Sequence, residues 1–119
     1  MKKIYYLSTC STCRRIMKEV EPDNSFVLQD LKTEAISSEQ LDFIYKLTGS
    51  YASIFNKQAR KYRELELHTQ ELTEERMREL ILSEYTFLKR PIFIINNKIF
   101  VGNNRKVTDE LNTYLKVNS

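Results

Sequence analysis

The placement of its only two cysteines constrains this chain more than any other feature. Cys10 and Cys13 flank Ser11 and Thr12 in the stretch YLSTCSTCRRIMKEV, residues 6–20. Just before them, KIYYL (residues 3–7) is β-branched and aromatic and reads as a short buried strand. After them, Cys13, Ile16, Met17 and Val20 recur at helical spacing, while Arg14, Arg15 and Lys18 fall on the other side. The pair therefore stands where a strand becomes a helix, with Thr9 or Cys10 as the helix start.

The remaining elements follow from the same reasoning. The turn cluster EPDNS (21–25) leads to a second strand, FVLQDL (26–31). Ser37 and Gln40 form a capping box ahead of a helix face of Leu41, Ile44 and Tyr45, which stops near Gly49. SYASIFNKQARKYREL holds one or two short helices and a loop with a basic run. Another helix starts near Thr73, with Met77, Leu80 and Ile81 on one face. PIFII (91–95) and KIFVG (98–102) are separated by Asn96-Asn97, which suits a two-residue hairpin because Asn tolerates the left-handed region. Val107, Leu111 and Leu115 mark a final helix. A β-α-β half and a β-β-α half make a mixed α/β chain of thioredoxin-like plan. It predicts a four-stranded mixed sheet and a helical insert over about residues 37–88, within a single domain spanning 1–119.

Composition narrows the function. A chain of 119 residues can bury about two-thirds of its unfolded surface, so it needs no disulfide staples. The net charge of +3 is too small to imply nucleic-acid binding. The basic run KQARKYR (57–63) is followed at once by Glu64 and Glu66 and reads as a solvated face, so no direct nucleic-acid partner is expected. Two glycines cannot build a phosphate-binding loop. The apolar run Ile4–Leu7 is too short for a signal peptide, and no segment is long enough to span a membrane. The expected location is the cytoplasm. There a cysteine pair is more often catalytic, redox-sensing or metal-binding than a permanent bridge.

Three positions on a helix place the two Cβ atoms about 5–6 Å apart on one face. A modest adjustment at the cap meets the ~3.5–4.5 Å a disulfide requires. The helix N-terminus and Arg14 and Arg15 all favour a thiolate. Cys10, nearer the exposed end, is the expected nucleophile, and Cys13 the resolving thiol. Two plainer readings stand beside this one. Both cysteines could be core residues, or the pair could be half of a zinc site, although zinc needs two more ligands and His68 is the single histidine. No metal and no cofactor are expected.

YLSTCSTCRRIMKEV near the start and FLKRPIFIINNKIFVG near the end resemble the arsenate reductase (ArsC) family of thioredoxin-like proteins, which includes Spx-type transcription regulators. The resemblance runs over essentially the whole chain. It implies that Cys10 is the nucleophile, that Arg14 belongs to the same helix start, and that Arg90 lies beside the thiol. It also implies a cis Arg90-Pro91 bond. Thr9, Ser11 and Thr12 complete the loop around the pair. The arsenate reductases of the family surround their oxyanion with three arginines, of which only Arg90 has a clear match. Gly102 occupies one of the other positions and Asn56 or Gln58 the second, with Lys57 or Arg60 as substitutes. Cys13 matches the Spx-type pattern instead.

The resemblance thus implies a thiol-disulfide oxidoreductase with little arsenate turnover, served by a cellular dithiol or by glutathione with a glutaredoxin-type partner. The alternative it carries is an Spx-type redox-sensing regulator that binds RNA polymerase.

Overall fold

Alternating side chains on three apolar strands organise the first of two units in the computed structural model, which describes residues 1–117. The chain divides into a sheet unit of residues 1–34 and 90–119, and a helical unit of residues 35–89. In the sheet unit, β1 (Lys2–Tyr6) leads to α1 (Ser11–Val20) and β2 (Val27–Asp30). After residue 89 come β3 (Ile92–Ile95), β4 (Lys98–Val101) and α5 (Arg105–Val117). The helical unit carries α2 (Ser38–Thr48), α3 (Arg60–Glu64) and α4 (Glu74–Ser83).

The strand order is β2-β1-β3-β4. β1 runs parallel to β2 and antiparallel to β3, and β3 runs antiparallel to β4, so the sheet is mixed as expected. Cross-strand partners share a face. Ile4 pairs with Phe93, and Phe93 with Phe100, so the three aromatic and aliphatic side chains line one side. Ile16 of α1, Leu111 of α5 and Phe26 complete that core, which places both helices on the same face. Phe26 meets Phe93 edge-to-face at 6.1 Å, a favoured geometry for ring quadrupoles. Ile95 pairs with Lys98 across a two-residue turn whose Asn96 adopts φ 57°, as the Asn-Asn pair suggests.

β2 lies at the edge, and its burial departs from its hydropathy. Val27 and Leu28 are exposed, whereas Gln29 is buried and donates from its side-chain amide to the Glu34 carbonyl at 3.2 Å. An edge strand has a neighbour on one side only, so part of its apolar surface stays in water.

In the helical unit the capping box closes in both directions: Gln40 N–H donates to Ser37 Oγ at 3.1 Å, and Ser37 N–H to Gln40 Oε1 at 3.0 Å. α2 ends at Gly49, whose φ of 83° is one glycine adopts freely. Leu41 and Ile44 are buried, but Tyr45 is exposed and stacks on Tyr51 at 4.5 Å. Tyr51 Oη donates to Asp42 at 2.6 Å, and Arg78 grips the same carboxylate with two bonds of 2.9 and 3.0 Å. The middle segment forms a 3₁₀ turn at Ala52–Ile54 and the short α3. Met77, Leu80 and Ile81 of α4 are buried, as their spacing predicts. Among the described residues no helix is long and apolar enough to cross a membrane.

Candidate functional site

The cysteine pair is presented by a tight loop between β1 and α1. The Cys10 N–H donates to the Leu7 carbonyl at 3.0 Å, and the Cys10 carbonyl accepts the first bond of α1 from the Arg14 N–H at 3.1 Å. Cys10 is therefore the N-cap, with extended dihedrals of −91° and 115°. Its sulfur forms no well-aligned capping bond, yet the first-turn N–H groups still stabilise its thiolate. Cys10 is half-buried and Cys13 is 0% exposed, and both are free thiols.

The two environments drive the thiols apart. Burial pushes the Cys13 thiol up to about 11, and the nearby Cys10 sulfur adds to this, against a main-chain hydrogen bond from Leu7. Burial also opposes the Cys10 thiolate. It is outweighed by the Cys13 N–H, the Cys13 thiol, the Thr12 N–H and the charge of Arg90, so the Cys10 pKa falls below its ordinary value. A more acidic, partly open sulfur thus accepts a hydrogen bond from the thiol of a less acidic, enclosed one.

Arg14 occupies a different place from the one a thiolate partner would take. Its guanidinium donates from Nη1 to the Ser8 carbonyl at 3.3 Å. The opposite side of Ser8 is held by Asp30, whose Oδ1 accepts from Ser8 N–H at 3.0 Å and from Lys32 N–H at 3.1 Å. Hydrogen bonds from Ser8 above all, then from Lys32, hold the Asp30 carboxyl below its usual range despite partial desolvation. Asp30 and Arg14 thus clamp the loop that carries Cys10, two residues beyond Ser8. Sequence reasoning assigned Asp30 no role. The available signal was its place at the end of β2, where it pairs with Tyr6, the last residue before the loop.

Arg90 and Pro91 join in a cis peptide bond, as the resemblance implies. Pro91 is buried and its carbonyl accepts from Gly102 N–H at 2.9 Å, while the Arg90 carbonyl accepts from the Asn103 side chain at 3.5 Å. Gly102 has φ 90°, and a Cβ added there would meet nothing within 4 Å. A Cβ has room at 102, but the left-handed backbone resists one. Thr9 and Ser11 are exposed and Thr12 is half-buried. Lys57 and Arg60 belong to the helical unit, where both are exposed. Asn56 serves its own turn: its amide donates to the Thr86 carbonyl at 3.1 Å and its oxygen accepts from Gln58 N–H at 3.0 Å. His68 is exposed, and among the described residues no group of three His, Cys, Asp or Glu side chains could hold a metal ion.

The chain is similar to several known proteins in sequence and fold. YusI of Bacillus subtilis (strain 168) is 29% identical over 102 residues, which is 82% of this chain and 86% of YusI. The global transcriptional regulator Spx of Lactiplantibacillus plantarum is 25% identical over 114 residues, 94% of this chain and 84% of Spx. An ArsC family related protein from Bacteroides fragilis has the same fold, with a TM-score of 0.76 at 23% identity, covering 92% of this chain and 96% of that one. The sequence model of the ArsC family matches residues 5–111. With its four-stranded mixed sheet and its cysteine pair at the first strand-to-helix junction, the chain belongs to the ArsC family.

Proposed function

We propose that the protein is a thiol-disulfide oxidoreductase working through Cys10 and Cys13. The observation that supports this most directly is the split between the two thiols: a half-buried Cys10 with a lowered pKa, and a fully buried Cys13 raised to about 11. The Cys10 thiolate attacks one sulfur of a substrate disulfide, and the other sulfur leaves as a thiolate. Cys13 gives up its proton and attacks the Cys10 sulfur, releasing the second substrate thiolate. The substrate gains two electrons and the protein keeps a Cys10–Cys13 disulfide. A cellular dithiol, or glutathione with a glutaredoxin-type partner, returns the electrons. Arg90 lowers the energy of the thiolate at each exchange, and the Asp30–Arg14 clamp holds the loop in register.

Treating the reduced protein with a small disulfide and mapping the products by mass spectrometry tests this. The expected product is an internal Cys10–Cys13 disulfide. A Cys13→Ser variant should stop at a mixed disulfide on Cys10, and a Cys10→Ser variant should yield neither. A mixed disulfide on Cys13 in the unaltered protein would refute the assignment.

A second reading has its own support, since Spx of L. plantarum and MgsR of B. subtilis, both named as regulators, align over 94% and 84% of this chain. In that reading the same disulfide is a sensor state whose output is a contact with RNA polymerase. Redox-dependent capture of purified RNA polymerase, without turnover by a reductant, would favour it.

A further inference from the structure

The exposed side of α1 continues directly from the reactive sulfur. Cys10, Arg14 and Lys18 stand at i, i+4 and i+8, so they lie along one side of the helix. Arg15 and Ser11 stand beside that line, and Ser11, Arg14, Arg15 and Lys18 are all exposed. At 1.5 Å per residue, the line reaches about 12 Å from the thiol. The helix carries three cations against a single anion, Glu19, which accepts a hydrogen bond from the Asn112 side chain at 3.3 Å. Lys32, also exposed, is tied to the same loop through Asp30.

The ion pairs among the described residues join Lys61 to Glu84, Arg76 to Glu79, Arg78 to Asp42 and Arg105 to Asp109. None of them includes a cation of α1. An uncompensated basic line that begins at a nucleophile suits a charged macromolecule. A partner whose surface extends from Cys10 over this helix meets Lys18 within about a dozen ångströms, whereas a small disulfide never reaches it.

We propose that Arg15 and Lys18, continuing from Arg14, form the docking surface for the protein that exchanges electrons with Cys10, and that this partner carries acidic residues beside its redox-active cysteine. The inference rests on the oxidoreductase reading above. The surface serves exchange in either direction, because the same two sulfurs meet whichever side starts as the disulfide. Charge complementarity of this kind acts mainly on the rate of encounter and weakens with salt.

The test uses the full chain in its reduced form and three probes. Two are disulfide-cyclised peptides, identical except that glutamates or lysines flank the cysteines; the third is neutral hydroxyethyl disulfide. Second-order rates of Cys10–Cys13 disulfide formation are measured at low and high ionic strength. At low salt the acidic peptide should react about tenfold faster than the basic one, within the range of electrostatic steering, and salt should erase the difference. A Lys18→Glu variant should weaken or remove the preference while the hydroxyethyl disulfide rate stays within about twofold of wild type. A Lys18→Gln variant should fall between. Equal rates for both peptides in the unaltered protein, or an equal effect of charge reversal on the neutral probe, would overturn the docking surface and leave the redox reading intact. No disulfide formation with hydroxyethyl disulfide would overturn both.

Discussion

Selective alkylation of the two thiols tests the site most sharply. With Cys13 at about 11, roughly one molecule in a thousand carries a Cys13 thiolate at pH 8. A cysteine at an unshifted value of 9.0 is about one-tenth ionised at that pH, and Cys10 lies lower. The thiolate populations therefore differ by at least ~90-fold. The less acidic sulfur is intrinsically the better nucleophile. With a Brønsted slope of ~0.4–0.5, a gap of ~2 pKa units returns roughly 6–10-fold. Cys10 should thus react at least about tenfold faster with iodoacetamide than Cys13, and the full burial of Cys13 widens the gap. The assay follows alkylation rate against pH in the wild type and in Cys10→Ser, Cys13→Ser and Cys13→Ala variants. The Cys13→Ser protein should keep a fast thiol titrating below the ordinary cysteine value. The Cys13→Ala protein should titrate higher, because it loses the thiol donor to Cys10. A Cys10→Ser protein that alkylates at the wild-type rate would refute the reasoning.

Arsenate turnover coupled to glutathione and glutaredoxin should be no greater than in Cys10→Ser and Arg90→Ala controls. Two missing charge-assisted partners weaken oxyanion binding by ~10²–10⁴-fold; robust activity abolished in both controls would contradict this. A Gly102→Arg variant should lose about 1–3 kcal/mol in urea unfolding, because φ 90° strains any residue with a Cβ, and an unchanged midpoint would disprove that cost. Phe93→Ala should cost about 3–5 kcal/mol in the same assay, since Phe93 is 1% exposed at the centre of the sheet-unit core. Asp42 is held down to about 2 by its bonds from Arg78 and then Tyr51. The stability it confers is therefore complete above the unfolded carboxylate value of ~3.9 and is lost as pH falls through about 2. Asp42→Asn should flatten the acid limb of the unfolding curve in that window.

Local chemistry was enough to read much of this protein from its sequence. The strand before Cys10, the helix face behind it, the Ser37–Gln40 capping box, the Gly49 stop and the Asn96-Asn97 hairpin each depend on residues within a few positions of one another. The cis Arg90-Pro91 bond was legible through the family resemblance instead. Tertiary structure decided what depends on register and on distance along the chain. Hydropathy cannot show that β2 is an edge strand, so it misjudges Val27, Leu28 and Gln29. The bond from Ser8 to Asp30 crosses 22 residues and exists because parallel pairing sets Tyr6 against Asp30. Sequence nearness placed Arg14 next to the thiolate, but its guanidinium bonds Ser8. The cation acting on both sulfurs is Arg90, which the antiparallel pairing of β1 with β3 returns to the start of the chain. A side chain's neighbours in sequence set its backbone, and the pairing of strands sets which distant charge it meets.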